Sequence, residues 1–374
     1  MPDFFIPNFS PPSPGLRFSE SVFEAMRREL EETLRRAGPF TFMEVCGTHT
    51  VSIFRSGLRS LLPQGLSLLS GPGCPVCVTG RSEIDRALEL AEKGCLVLTY
   101  GDMMRVPGTS GSLMERRGQG ASVEVVTSAM QAVSVARENP DKEAVFLGVG
   151  FETTAPATAA MLKQARLHEI RNLSVLCLHK AVPPVMRALC SVPGLKIDGF
   201  LLPGNVTVVS GESGYAFLAE AGKAAAVAGF EPEEIMAALV DLARQAASGV
   251  HRIHAFRTRD VPREGNAAAL RLLAEVFEPC DALWRGLGLI PDSGLRLGKD
   301  YSRFDALERF DLKLGGGPAE TEDDGCQCGK ILSGLMTPPE CGLYGTACTP
   351  LTPVGPCMVS SEGTCGTWYR FNRQ

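Results

Sequence analysis

Eight short apolar runs, each closed by glycine or a polar turn and followed by a helix-like pattern, constrain this chain most. They are Phe42 to Val45, Leu66 to Leu69, Leu96 to Tyr100, Val123 to Val126, Val145 to Val149, Leu173 to Leu178, Gly199 to Leu202 and Ala224 to Val227. Continuous apolar runs of this length read as strands buried on both faces, as in parallel sheets. Their alternation with helical patterns predicts two α/β units. The two series look like internal copies: Gly150 lies 104 residues after Cys46, each at a strand end before a threonine-bearing turn, and Gly204 lies 103 residues after Gly101. Such a repeat would turn both sets of strand ends toward one cleft, where ligands of open α/β sheets bind.

At 374 residues the chain exceeds what a single core usually organises, so two or three domains are expected. The flanks read differently from the centre. Met1 to Glu20 is proline-rich without an apolar signal region, and Ser19 to Arg36 carries Val22, Phe23, Met26, Leu30 and Leu34 at helical spacing. Beyond Gly249 the pattern is helical through Arg263 to Phe277, then irregular, and Leu314 to Asp324 reads as a Gly-rich, acidic linker. The tail after it has too few apolar residues for a core of its own, so something covalent must hold it. A net charge of −5 without a basic block argues against nucleic acid as the main partner. No stretch is long enough to span a bilayer, and a cytoplasmic location is expected.

Thirteen cysteines sharpen the functional reading, six of them in the last 49 residues and two in Gly71-Pro72-Gly73-Cys74-Pro75-Val76-Cys77. In a reducing compartment such density points to metal ligation or thiol redox chemistry. Cys74 and Cys77 have dithiol–disulfide spacing, and a helix beginning near Ser82 would lower a thiol pKa; half a zinc site or a tight turn are the bland alternatives. Cys46 stands alone at a strand end beside His49. It is a buried inert cysteine, or a nucleophile or ligand at a turn where Gly47 permits close approach and free amides face outward. His49 either orients that thiolate or caps the turn.

In the tail, Cys326, Cys328, Cys341, Cys348, Cys357 and Cys365 lack ferredoxin spacing, so spacing alone does not separate an iron–sulfur cluster from zinc. Four ligands plus one disulfide is the economical partition, with 15 possible pairs. Gly148-Val149-Gly150-Phe151-Glu152 lacks the third glycine of a dinucleotide turn. Asp102, Glu152 and Asn205 follow strands and would bring polar groups to the cleft, although such residues also simply form turns. Cys95, Cys177, Cys190 and Cys280 sit in apolar surroundings and read as core.

Taken together, Glu44-Val45-Cys46-Gly47-Thr48-His49-Thr50, Ser70 through Thr79, Tyr100-Gly101-Asp102-Met103-Met104-Arg105-Val106-Pro107-Gly108, Gly150-Phe151-Glu152-Thr153-Thr154-Ala155-Pro156, and Gly355 through Cys365 resemble the hydrogenase maturation factor HypD family. So does the segment from Glu264 to Leu295. The resemblance implies two Rossmann-like parallel-sheet domains around a cleft plus a small cysteine-rich iron–sulfur domain. The expected divisions are residues 1–38 as a leader and a helix packing with the third domain, 39–128 and 129–250 as the α/β domains, and 251–374 as a helical segment and cluster domain.

The implied function is a scaffold that assembles the Fe(CN)2CO unit of nickel–iron hydrogenases with the chaperone HypC and receives cyanide from HypE and HypF, the scaffold being a monomer by itself. Cys46 becomes the iron-binding thiolate, Cys74 and Cys77 the redox pair, and Cys326, Cys341, Cys348 and Cys365 the ligands of a 4Fe-4S cluster. Cys328 and Cys357 are left for a relay disulfide. Asp102, Glu152 and Thr153 fall at the iron unit, and Glu362 carries protons or is a solvated carboxylate. Asn205 and Val51 stand where the family often has histidine, and Gly80 replaces a frequent proline. The competing function is an iron–sulfur-linked thiol–disulfide oxidoreductase acting on a client protein, which has no need of an isolated Cys46. A zinc-stabilised binding module is the third.

Overall fold

The computed structural model describes residues 20–192, 194–256, 263–314 and 325–371. All eight expected runs are strands: β1 (Phe40–Glu44), β2 (Leu66–Ser70), β3 (Leu96–Thr99), β4 (Val123–Val125), β5 (Ala144–Gly150), β6 (Leu173–His179), β7 (Gly199–Pro203) and β8 (Ala224–Ala228). Three more follow: β9 (Ile253–Phe256), β10 (Phe277–Trp284) and β11 (Gly288–Leu297). One parallel sheet runs β2-β1-β7-β8-β9 and the other β4-β3-β5-β6.

The repeat is present, but its copies exchange strands. Written β6-β5-β3-β4, the second sheet matches β2-β1-β7-β8 of the first position for position, with β1 corresponding to β5 and β3 to β7. Each sheet therefore takes two strands from each copy. A division between 39–128 and 129–250 cuts both sheets, and this corrects the expected domain boundaries. In each sheet the central pair, β1 with β7 and β3 with β5, sends its next strands to opposite sides, which opens a crevice at the carboxyl ends.

Side-chain size explains the packing. β8 reads Ala-Ala-Ala-Val-Ala and is wholly buried, so the Pro232–Ser248 helix lies close over it. That helix starts at Pro232 behind a Glu231–Glu234 capping box and stops at Gly249, whose φ of 68° suits glycine. Phe42, Phe146 and Phe200 are fully buried, each worth about 1.5–3 kcal/mol of apolar burial. The Glu20–Ala37 helix turns Met26, Leu30 and Leu34 into the core shared with Phe42 and the Pro232–Ser248 helix. Its partner is thus the first sheet's outer layer and not the cysteine-rich tail, which corrects that expectation.

The region expected to be irregular after residue 277 holds the antiparallel β10–β11 hairpin. Trp284 anchors it: fully buried, the ring stacks on Phe151 at 5.8 Å and Nε1 donates to Ser293 Oγ at 2.8 Å. Bridges from Trp284 to Thr79 and from Gly294 to Lys180 tie the hairpin to the loop after β2 and to the end of β6. Among its described residues the tail forms only short helices: Cys328–Leu332, the 3-10 turn Pro338–Glu340, Pro356–Val359 and Thr364–Phe371. Its Cys328, Leu332, Cys357 and Val359 are buried in the core that both sheets share, so the tail docks on the main body instead of enclosing a core of its own. Of the expected linker, Leu314 to Asp324, residues 315–324 lie outside the described residues. Among the described residues no helix is long and apolar enough to cross a membrane.

Candidate functional site

Strand β1 ends at Glu44, a buried carboxylate that organises the turn behind it. Its oxygens accept from the Cys46 amide at 3.1 Å, the Thr50 hydroxyl and the Ser70 hydroxyl, while burial pushes the acid up to about 8. Cys46 then precedes the Gly47–Arg55 helix in extended backbone. The Gly71–Cys74 loop lies directly on it: Gly47 N donates to Gly73 O at 3.0 Å, and a Cβ on Gly73 would stand 2.2 Å from Cys46 N. Only glycine fits there.

Cys46 is not the open ligand position its turn suggests. The thiol is 6% exposed, and burial pushes it up to about 12 although the backbone amides of His49 and Thr48 favour the thiolate. Glu362 covers the turn, since a Cβ on Gly47 would meet its carbonyl oxygen at 2.5 Å and its carboxylate accepts from Thr48 Oγ1 at 2.7 Å. The His49 ring does not orient the thiol. It is fully buried, held neutral near 4 by desolvation, and Nε2 bonds the Gly229 carbonyl at 2.8 Å.

Cys74 caps the single-turn Pro75–Val78 helix, and its Sγ lies 2.6 Å from that of Cys77. The next helix begins at Arg81, close to the expected start at Ser82, but the expected lowering of a thiol pKa is not found at Cys77, whose burial pushes the thiol well up. Thiols continue inward from there. Cys77 interacts with Cys357, Cys357 Sγ is 2.7 Å from Cys328 Sγ, Cys357 also interacts with Cys365, and Cys328 with Cys326. Cys326, Cys328, Cys341, Cys348, Cys357 and Cys365 all line one cavity, with Tyr344 and Met358 among its other walls. Among the described residues no three His, Cys, Asp or Glu side chains converge as for a single ion.

Cys74, Asp102, Thr154, Ser360 and Glu362 share an open cleft. Asp102 is exposed and accepts from Ser360 Oγ at 3.0 Å. Glu152 follows β5; Oε1 accepts from Val182 N at 2.8 Å, Oε2 is buried without a partner, and burial pushes the acid up to about 7. Thr153 is exposed at the same turn, and Asn205 is exposed with Oδ1 on the following Val206 amide. Of the four cysteines expected in the core, Cys95 is buried and Cys177, Cys190 and Cys280 are half-buried.

Three further groups at this site did not stand out in the sequence: Glu44, Tyr215, and the buried pair Lys180–Glu83, whose Nζ lies 2.7 and 2.8 Å from the two carboxylate oxygens. Glu44 opens the Glu44–Thr50 motif. Lys180, ending an apolar strand, was the one available signal for a buried ion pair.

A family model described as HypD, hydrogenase formation hypA family, matches residues 21–372. Hydrogenase maturation factor HypD of Cupriavidus necator is 43% identical over 344 residues, covering 89% of this chain and 90% of that protein. HypD2 of Bradyrhizobium diazoefficiens is 42% identical over 348 residues, 90% of each. HypD of Escherichia coli K12 is 40% identical over 376 residues, 99% of this chain and 98% of the relative. With the thiol line, the glycine-paved Cys46 turn and a family match across nearly its whole length, the chain belongs to the HypD family of hydrogenase maturation factors.

Proposed function

We propose that this chain is the scaffold on which the Fe(CN)2CO unit is assembled, with Cys46 as its iron-binding thiolate. A HypC-type chaperone would add a second thiolate, and HypE, supplied by HypF, the cyanide. The observation that carries this is the continuity of the thiols: Cys46 sits against the loop of Cys74 and Cys77, and that pair reaches the tail cavity through Cys357 and Cys328. A soft thiolate suits low-spin iron carrying diatomic ligands. The iron unit is cargo, so a ligand shared between two proteins permits hand-over.

Cys326, Cys341, Cys348 and Cys365 fit a 4Fe-4S cluster, which when bound would supply single electrons beside Cys328 and Cys357. The chain's own chemistry is exchange between neighbouring pairs. A Cys74–Cys77 dithiol reduces a Cys328–Cys357 disulfide through a Cys77–Cys357 mixed disulfide; one S–S bond breaks as another forms, and two electrons and two protons pass inward. Glu362, bonded to Thr48 over Cys46, is placed to take the proton that the thiol must lose before it binds iron. A client-directed oxidoreductase would use the same exchange line but leaves Cys46 without a role.

Infrared spectroscopy of the chain co-purified with its HypC-type chaperone tests the proposal. Cyanide and carbon monoxide stretches are expected in the parent and absent in Cys46→Ala, which should lose no more than about 1–2 kcal/mol of stability. Bands at parental intensity in Cys46→Ala would move the iron to another thiol.

A further inference from the structure

Cys46 is 6% exposed, so a metal ligand at this position needs something to move before cargo reaches it. Two elements cover it. The Gly71–Cys74 loop is bound through its main chain, with Gly47 N donating to Gly73 O at 3.0 Å and Gly71 N donating to Glu44 O at 2.7 Å. The turn from Ser360 to Gly363 is tied by side chains: the Glu362 carboxylate accepts from Thr48 Oγ1 at 2.7 Å, and Ser360 Oγ donates to Asp102 Oδ2 at 3.0 Å. Thr48 follows β1 and Asp102 follows β3, so this strap joins strand ends of both sheets. It also walls the open cleft of about 420 Å³ that Cys74 and Asp102 share, which leaves it room to move.

The strap is built onto Cys357. Ser360 N donates to Pro356 O at 3.3 Å and Gly363 N to Ser360 O at 3.1 Å, and a Cβ on Gly363 would stand 2.2 Å from the Cys357 carbonyl oxygen. Helix and turn therefore shift as one body. Cys357 Sγ lies 2.7 Å from Cys328 Sγ, while the Pro356–Val359 helix that carries it packs against the Pro75–Val78 helix of Cys77. Cys357 cannot pass from one sulfur to the other without moving that body. Beyond the strap, the Thr364–Phe371 helix is anchored separately, Trp368 lying edge-on to Phe54 at 5.1 Å with the Arg59 guanidinium 4.3 Å from its ring, so the shift is taken up in the strap. A displacement of about 1 Å takes hydrogen bonds of this length out of range.

We propose that the Ser360–Gly363 strap gates Cys46, closed while Cys357 is paired with Cys328 and opened by the Cys77–Cys357 mixed disulfide. In that step Cys77 gives up its proton and attacks Cys357; the Cys77–Cys357 bond forms as the Cys328–Cys357 bond breaks, and Cys328 leaves as a thiolate that takes the proton. No electron leaves the chain. When Cys74 resolves the mixed disulfide, forming Cys74–Cys77 and releasing the Cys357 thiol, the strap closes again. Cargo thus reaches the iron-binding position only while the relay turns over. This rests on the exchange line and on Cys46 as the ligand, and it makes Asp102 and Ser360 positioning residues of the closed state.

The test is mass-mapped alkylation of Cys46 by iodoacetamide in the full chain. Cys74→Ser with Cys328→Ser leaves Cys77 and Cys357 without their other partners, and glutathione disulfide, reduced to two glutathione thiols, joins them. In the joined form Cys46 should react about tenfold faster than in the same variant reduced, the effect of releasing two hydrogen bonds. Asp102→Ala and Ser360→Ala should each raise the rate in the chain whose Cys328–Cys357 disulfide is intact, and neither should add to it in the joined form; a merely structural loss would add in both. Equal rates in the joined and reduced forms, or no Cys77–Cys357 linkage on peptide mapping, overturn the gate. A parent complex without cyanide or carbon monoxide bands instead overturns the scaffold function and leaves the alkylation rates as they are, so the two failures are distinct.

Discussion

The end of β1 and the end of β5 occupy equivalent places in two sheets of one plan, yet they are closed by different forces. At β1 the closure is backbone on backbone: Gly73 lies against the Cys46 amide and Glu44 gathers the turn. At β5 it is electrostatic: Lys180, just past β6 and bonded through its amide to Gly150 O, reaches Glu83 on the Arg81–Glu92 helix. Glu83 in turn accepts from Gly80 N at 2.6 Å, beside the Cys74–Cys77 loop. At the β1 end Arg59 acts on the Glu44 carboxylate from a distance, while the tight buried ion pair stands at the β5 end. On the proposed role of Cys46 as iron ligand, that thiol is positioned by shape instead of by an ion pair.

Breaking the electrostatic closure should have the largest effect. Lys180 and Glu83 are 2% and 4% exposed, so Lys180→Met strands a buried carboxylate. Removing one partner of such a pair costs about 3–5 kcal/mol. Urea midpoints should show this loss, and Lys180→Met combined with Glu83→Gln should recover part of it. A loss under 1 kcal/mol would mean that the β5 end is held by packing, as the β1 end is.

The shape closure should break more gently but more specifically. Gly73→Ala places a methyl group against the Cys46 backbone, and overpacking of this kind costs about 1–3 kcal/mol. The loop must lift, so the Cys74–Cys77 pair should gain exposure. Faster alkylation of Cys46 and Cys77 in reduced Gly73→Ala than in the parent is the expected readout, and unchanged alkylation would remove the loop as the cover.

How much of this was legible follows from what each signal encodes. A buried strand announces itself by an apolar run, so all eight runs became strands; pairing is a property of distant segments, and nothing within Phe42–Val45 says that its neighbour will be Gly199–Leu202 and not a strand of its own copy. The 104-residue offset was visible while the exchange was not. The β10–β11 hairpin escaped because only Phe277, Trp284, Ile290, Ser293, Gly294 and Leu297 are buried along it, too sparse for a clean period of two. The cysteines could be read since thiol density has few bland explanations. Glu44 and Lys180 could not, since a charged residue at a strand end looks solvated until its partner is known.

The last effect concerns the two acids and is read as a change of slope with pH, and it separates the ends most finely. Glu44 is raised from 4.5 to about 8 and Glu152 from 4.5 to about 7, both by burial. Each therefore holds a proton in the folded chain that the unfolded chain releases. Stability from these groups is complete below pH 4.5 and is lost as pH climbs through 7 for Glu152 and 8 for Glu44. His49 and His179 act in the opposite sense. Burial lowers both from 6.5 to about 4, so their contribution is present above 6.5 and lost as pH falls toward 4. The glutamine variants isolate the acid terms, because neither changes a histidine. Glu44→Gln should flatten the decline in urea midpoint between pH 5 and pH 8 more than Glu152→Gln does, since its window is wider and reaches higher. Glu44 also anchors Cys46 N, so its variant should lose some stability at pH 5, where the native acid already holds its proton and both oxygens keep their partners. An equal or larger flattening by Glu152→Gln would place the more strongly buried acid at the β5 end and reverse the assignment of which strand end is the drier.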